Sequence, residues 1–123
     1  MKYKTTITGH GAEAFEFLSK ELDLKFVILF NEDVPEELAD LSILHTKDQL
    51  LAAPAPGDKM KLGKNIYTIT AVGTEAEHTL SALGHCTLVF GGGTEVYRPG
   101  CIVLKGPALT RKAVPVGETI EIF

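Results

Sequence analysis

Cysteine is scarce in this 123-residue chain, where Cys86 and Cys101 are the only two. Two thiols are too few for a disulfide scaffold or a four-ligand zinc site, and they read as the reduced cysteines of a cytoplasmic protein. No apolar run is long enough to cross a bilayer, and the uncharged stretch Gln49 to Gly57 is punctuated by Pro54 and Pro56. The start, Met1-Lys2-Tyr3-Lys4-Thr5, has no apolar core behind its charges and does not read as a signal peptide. A cationic excess is missing too. Lys and Arg number 12 against 16 Asp and Glu, a net charge of −4. That balance gives neither the basic face a nucleic-acid binder needs nor an electrostatic membrane anchor. No serine sits in a G-x-S-x-G elbow, no acidic pair has the setting of a glycosidase, and no C-x-x-C or H-x-x-x-H appears.

What the chain does have is one domain's worth of ordinary globular sequence, 45% hydrophobic and 23% charged. A chain of this size buries roughly 65% of its unfolded surface and holds together without metal or disulfide. Twelve glycines and six prolines cut it into short pieces. Eight pieces read as strands from their β-branched content and turn-forming ends: Tyr3 to Thr8, Lys25 to Phe30, Ser42 to Thr46, Lys59 to Leu62, Ile66 to Val72, Cys86 to Phe90, Cys101 to Leu104 and Thr119 to Phe123. Gly63-Lys64-Asn65 reads as a hairpin turn.

Helical spacing places Phe15, Leu18 and Leu22 on one face of a helix over Ala12 to Leu22. A second helix has Thr74 and Glu77 as a capping box, Ala76, Leu80 and Leu83 on its apolar face and Gly84 as its stop. A third short turn begins near Pro35, with Leu38 and Leu41 facing inward. The expected architecture is a single mainly β domain over 1–123, a closed or partly closed β-barrel of about six strands with two or three short helices.

Three motifs invite a cofactor and are better read without one. Gly9-His10-Gly11-Ala12-Glu13-Ala14 fits the dinucleotide pattern G-x-G-x-x-A, but Tyr3 to Thr8 is too polar for the centre of a parallel sheet buried on both faces. Gly57 to Lys64 mimics a phosphate-binding loop with one residue too many, and with Asn65 where Ser or Thr belongs. His85 and Cys86 point to opposite faces of a strand, so they do not converge on a metal with Cys101 or His10. The sequence calls for no cofactor.

Histidine remains as the side chain of chemical interest. His10 and His78 read as surface residues. His45 shares a strand face with Ile43 at the end of an apolar run, where partial desolvation keeps an imidazole neutral and nucleophilic near pH 7. Thr46 and Lys47 offer a hydroxyl, a backbone N–H and a cation to an anion at that ring. His85 has two readings: a local hydrogen bond at a helix-to-strand junction, or a group that faces His45 and stabilises an anion.

The stretch Gly57-Asp58-Lys59-Met60-Lys61-Leu62-Gly63, continued by Tyr67-Thr68-Ile69-Thr70-Ala71-Val72-Gly73, is similar to the glucitol/sorbitol-specific IIA component of the bacterial phosphotransferase system. Ala76-Glu77, Leu80, Leu83-Gly84-His85, Thr87-Leu88, Pro99-Gly100 and the opening Tyr3 to Thr8 also match, so the resemblance covers essentially the whole chain. It implies a β-rich closed barrel and a cytoplasmic phosphotransferase component. Such a carrier accepts a phosphoryl group from the histidine-containing phosphocarrier protein and passes it to the cognate IIB component of a membrane permease. The family's phosphohistidine falls on His45, after Ile43-Leu44. His85 also falls at a family histidine, but the resemblance carries no role for it; by their own chemistry His85 is a candidate phosphate stabiliser and Thr46 a candidate phosphate contact. The other readings are a non-catalytic β-barrel binding module and a small nucleotide-binding domain.

Overall fold

Strand alternation, two residues per repeat, decides which side chains this fold buries. A computed structural model describes all 123 residues, and each expected strand is present: β1 (Tyr3–His10), β2 (Lys25–Asn31), β3 (Ser42–His45), β4 (Lys59–Leu62), β5 (Asn65–Val72), β6 (Cys86–Phe90), β7 (Cys101–Lys105) and β8 (Thr119–Ile122). They close into one barrel in the order β1-β3-β2-β6-β7-β5-β4-β8. The expectation of about six strands is therefore too low. Although β3 and β4 have only four residues each, both are paired on both edges and so complete the ring.

Every strand sends alternate residues inward. Tyr3, Thr5 and Ile7 from β1, Leu29 from β2, Ile43 and His45 from β3, Met60 and Leu62 from β4 and Ile120 and Ile122 from β8 are all buried. A second layer, Ala71, Val89, Cys101 and Val103, lies outside the barrel under Leu24 and Phe26. Cys86 belongs to the inner core and Cys101 to this outer layer, so the two thiols are buried separately.

Two pairings are parallel, β2 with β3 and β6 with β7, and the rest are antiparallel. β1 is antiparallel to both of its neighbours, β3 and β8, so no dinucleotide-binding unit exists. Gly9 instead stands where the β1 register shifts, and a Cβ at Gly11 would strike the backbone of Ala39 and Asp40.

The helices differ more from expectation. Ala12 to Leu22 forms turns and one 3-10 turn (Glu16–Leu18), with the chain extended again at Ser19 (φ −54°, ψ 140°). So short a helix is marginal alone. The chain docks Phe15 beneath the Arg111 guanidinium and stacks Phe17 on Phe26, leaving Leu22 38% exposed. α1 (Glu36–Ala39) follows Pro35 as expected, but Leu38 is exposed, because one turn held by Ser42 Oγ donating to the Leu38 carbonyl leaves that side chain outward. α2 (Ala76–Leu83) packs through Ala76 and Leu80. Its capping box does not form: the Pro99 carbonyl accepts from the Glu75 N–H at 2.9 Å, an acceptor supplied by a distant loop. Gly84 does end the helix, at φ +61° in the left-handed region.

The hairpin between β4 and β5 turns at Gly63, φ +61°, where a Cβ would run into the carbonyl oxygen of Ala113. Gly63→Ala is expected to cost more than the ~1 kcal/mol typical of a glycine replaced by alanine, since both conformation and space are violated. Urea unfolding followed by circular dichroism checks this; a midpoint equal to wild type would refute it.

Candidate functional site

β3 ends at His45, and its inward alternation with Ile43 puts the imidazole inside the barrel, as the sequence pattern requires. The neighbours come from four directions. Ile7 of β1 and Asn31 of β2 flank His45 in register, Tyr3 meets the ring edge-on with centroids 6.2 Å apart, and Gly84 arrives from the end of α2.

The ring is completely enclosed, with no solvent exposure. The expectation of an only partly desolvated imidazole is thus corrected. The cause is long-range: the left-handed turn that ends α2 lays the Gly84 carbonyl against Nε2 at 2.8 Å. The Thr46 carbonyl lies 2.9 Å from Nδ1. Only glycine fits at position 84, because a Cβ there would collide with Asn31 Oδ1 and lie 2.8 Å from His45 Cε1.

Two carbonyl oxygens face two ring nitrogens, and a neutral imidazole has one N–H to give. One nitrogen donates, and the other turns its lone pair on an oxygen lone pair. Protonation would satisfy both, yet burial dominates and pushes the His45 ring below the usual histidine range. The Gly84 and Thr46 carbonyls, then the Asp48 and Glu32 carboxylates, pull the other way. His45 is neutral near pH 7, with one nitrogen unsatisfied.

The other predicted residues are placed as follows. His85 is half-buried, stacks on Phe30 with centroids 4.1 Å apart, and makes the junction hydrogen bond: Nδ1 donates to the Leu29 carbonyl at 3.1 Å. Its Nε2 makes no hydrogen bond within the protein. Thr46 does not aim its hydroxyl at the ring. That group donates to Asp48 Oδ2 at 2.7 Å and accepts from the Thr6 N–H at 3.0 Å, so it is the Thr46 carbonyl that touches His45. Lys47 pairs with Asp33 at 2.6 Å. His78 is exposed, but His10 is not a free surface residue: its Nε2 bonds to the Val114 carbonyl and its ring packs edge-on to Phe15. Two of the three lysines of the phosphate-loop mimic are occupied across the sheet, Lys59 with Thr68 and Lys61 with Thr119.

Sequence reasoning missed Gly84, Asn31 and Tyr3 as walls of the site. Gly84 was recognisable only as a helix stop, and nothing local joins it to His45.

With this geometry, the chain matches the family described as PTS system glucitol/sorbitol-specific IIA component over residues 2–121. The chain belongs to that family. Glucitol/sorbitol-specific EIIA components of Escherichia coli K12 and Shigella flexneri are each 40% identical over 105 residues, 85% of this chain and 82% of theirs. The crystal structure of a PTS system IIA component from Enterococcus faecalis V583 shares the fold with a TM-score of 0.74 at 29% identity, covering 97% of this chain and 98% of the other. A PTS IIA component is a phosphotransferase that accepts a phosphoryl group and passes it on, and this IIA component is such a phosphocarrier.

A histidine held neutral leaves a signature in stability. The folded value lies below the ordinary 6.5, so the unfolded chain binds the extra proton first as pH falls. The His45 contribution is present above about 6.5 and is lost as pH drops towards the folded value. The unfolding free energy of wild type relative to His45→Gln is expected to decrease between pH 7.5 and 5. A difference independent of pH over that range would contradict a neutral buried ring.

Proposed function

We propose that His45 of this IIA component takes a phosphoryl group from the histidine-containing phosphocarrier protein and hands it to the cognate glucitol/sorbitol IIB component, in the cytoplasm. The observation that supports this is the neutral, enclosed imidazole at the end of β3, at the position where the family resemblance sets the phosphohistidine. Phosphoryl transfer between imidazoles passes through a loose, in-line transition state, so positioning and charge stabilisation do most of the work.

On this reading Nε2 is the attacking nitrogen and the ring carries its proton on Nδ1. Nδ1–H donates to the adjacent Thr46 carbonyl, which orients the ring, and the Nε2 lone pair is left against the Gly84 carbonyl. That contact is repulsive and sits on the end of a two-turn helix held mainly by Ala76 and Leu80. Displacing Gly84 relieves the clash and uncovers the nucleophile in one movement. For transfer, the Nε2 lone pair forms the new N–P bond while the donor's N–P bond breaks, its electron pair returning to the donor ring.

Charge around the site favours a cationic partner face. Glu32, Asp33, Glu36, Glu37, Asp40 and Asp48 against Lys47 give residues 32–48 a net charge of −5, leaving the remainder at +1. The acidity of the chain is therefore concentrated in the segment that leads to His45, where it speeds encounter with a basic donor or acceptor. No helix is long and apolar enough to cross a membrane.

A second reading has one observation behind it. His85 has its Nδ1–H fixed on Leu29 and its Nε2 unpartnered, the arrangement of a ready nucleophile. As a phosphate stabiliser it needs a second proton on Nε2 in order to donate.

Incubation with phosphoenolpyruvate and the two general phosphotransferase proteins separates the readings. Wild type is expected to take up one acid-labile phosphate, His45→Gln none, and His85→Gln one at a reduced rate. Loss in His85→Gln with retention in His45→Gln would make His85 the acceptor. No uptake by wild type would leave a non-catalytic barrel that binds partners.

A further inference from the structure

Apart from the unprotonated nitrogen of His45, two buried side-chain polar atoms lack a hydrogen-bond partner, the Tyr3 hydroxyl and Thr5 Oγ1. They are not scattered. Both stand on the inward face of β1, two residues apart, and the next inward residue, Ile7, is the one opposite His45. The Tyr3 ring is itself in edge contact with the His45 ring, and its hydroxyl lies within electrostatic reach of Cys86, two residues beyond Gly84, and of Asp48, two residues beyond Thr46. Burial pushes that phenol further up, so it is a permanent proton donor.

An unpaired buried hydroxyl destabilises a fold, and Phe or Val would fill the same space without that cost. One hydroxyl on the ring that meets the enclosed histidine, and a second on the next inward residue of the same strand, call for a reason beyond packing. The site otherwise presents the wrong polarity for its task. The groups on the ring nitrogens are carbonyl oxygens, and the hydroxyl of Thr46 is given to Asp48. A phosphoryl group brings acceptor oxygens and needs donors.

We propose that the hydroxyls of Tyr3 and Thr5 are the donors that receive the phosphoryl oxygens once His45 is phosphorylated. They keep their protons and take no part in bond making; they hold the dianion against the barrel mouth in place of the withdrawn Gly84 carbonyl. In the unphosphorylated chain they are unsatisfied, which places the resting protein nearer in free energy to its phosphorylated form. The inference rests on His45 being the acceptor.

The test uses the full chain as Tyr3→Phe, Thr5→Val and Thr5→Ser, phosphorylated from phosphoenolpyruvate with limiting donor protein. Each is read for the equilibrium phosphorylated fraction, for the half-life of the phosphohistidine and for Tm before and after labelling. Tyr3→Phe and Thr5→Val are expected to match or exceed wild type in unphosphorylated Tm, yet to lose about tenfold in the phosphorylation equilibrium, the effect of one hydrogen bond to a charged group. Thr5→Ser, which keeps the hydroxyl, restores most of it. Wild-type equilibrium and half-life in both Tyr3→Phe and Thr5→Val would overturn the proposal. So would a lowered unphosphorylated Tm, which would mean that the hydroxyls are bonded in the resting fold. Mapping the phosphate by phosphorus NMR in wild type keeps the premise separate: label off His45 defeats the acceptor assignment, whereas unaffected variants carrying label on His45 defeat only this inference.

Discussion

One imidazole with a single N–H between two carbonyl oxygens is the constraint around which this barrel is arranged. Either nitrogen alone would be well served at 2.8 or 2.9 Å; both together cannot be while the ring is neutral. Burial keeps it neutral, so the contact with the unprotonated nitrogen is a standing repulsion. Such a contact persists only where the surrounding structure over-determines it. Here β3 fixes the ring from below, Asn31 and Ile7 hold its flanks in register, and the left-handed turn at Gly84 closes the top.

The topology explains why these pieces meet. The two parallel pairings let β2 and β3 end, and β6 and β7 begin, at the same pole of the barrel. The first residues of β1 and the segment after His45 reach that pole as well, joined where the Thr46 N–H donates to Thr6 and the Leu51 N–H to Lys2. Tyr3, Thr5, Asn31, His45, Gly84, His85 and Cys86, distant in sequence, therefore become one neighbourhood. The opposite pole, closed by the Gly63 turn and by His10 against Val114, has no comparable group of polar side chains facing inward.

How far this was legible depended on the range of the interaction responsible. Strands were readable because their signal is local: β4 and β6 fall on the residues that alternation and turn formers mark, and the others differ by one or two at an end. The inward orientation of His45 followed from the same period of two. The helices were less legible, because their apolar periodicity competed with tertiary partners: Phe17 found Phe26, and Pro99 replaced Thr74 as the cap acceptor. Enclosure of the ring was invisible, since it depends on Gly84 crossing thirty-nine residues of chain to reach it. The chemistry of the site came from resemblance joined to a residue type, and its geometry from the fold.

A sealed imidazole is compatible with the carrier role proposed for His45. While Gly84 covers Nε2 the unphosphorylated ring is closed to solvent and small ions, so uncovering it is left to a protein partner. The acidic segment 32–48 reinforces this. Its charge repels free phosphate and small anions while attracting a cationic protein face, so the encounter that supplies or removes the phosphoryl group is also the one favoured electrostatically. The exposed Leu83, next to the Gly84 carbonyl that guards Nε2, gives such a face something apolar to press on. On the reading proposed for His45, partner contact and uncovering of Nε2 share one lever, the last turn of α2.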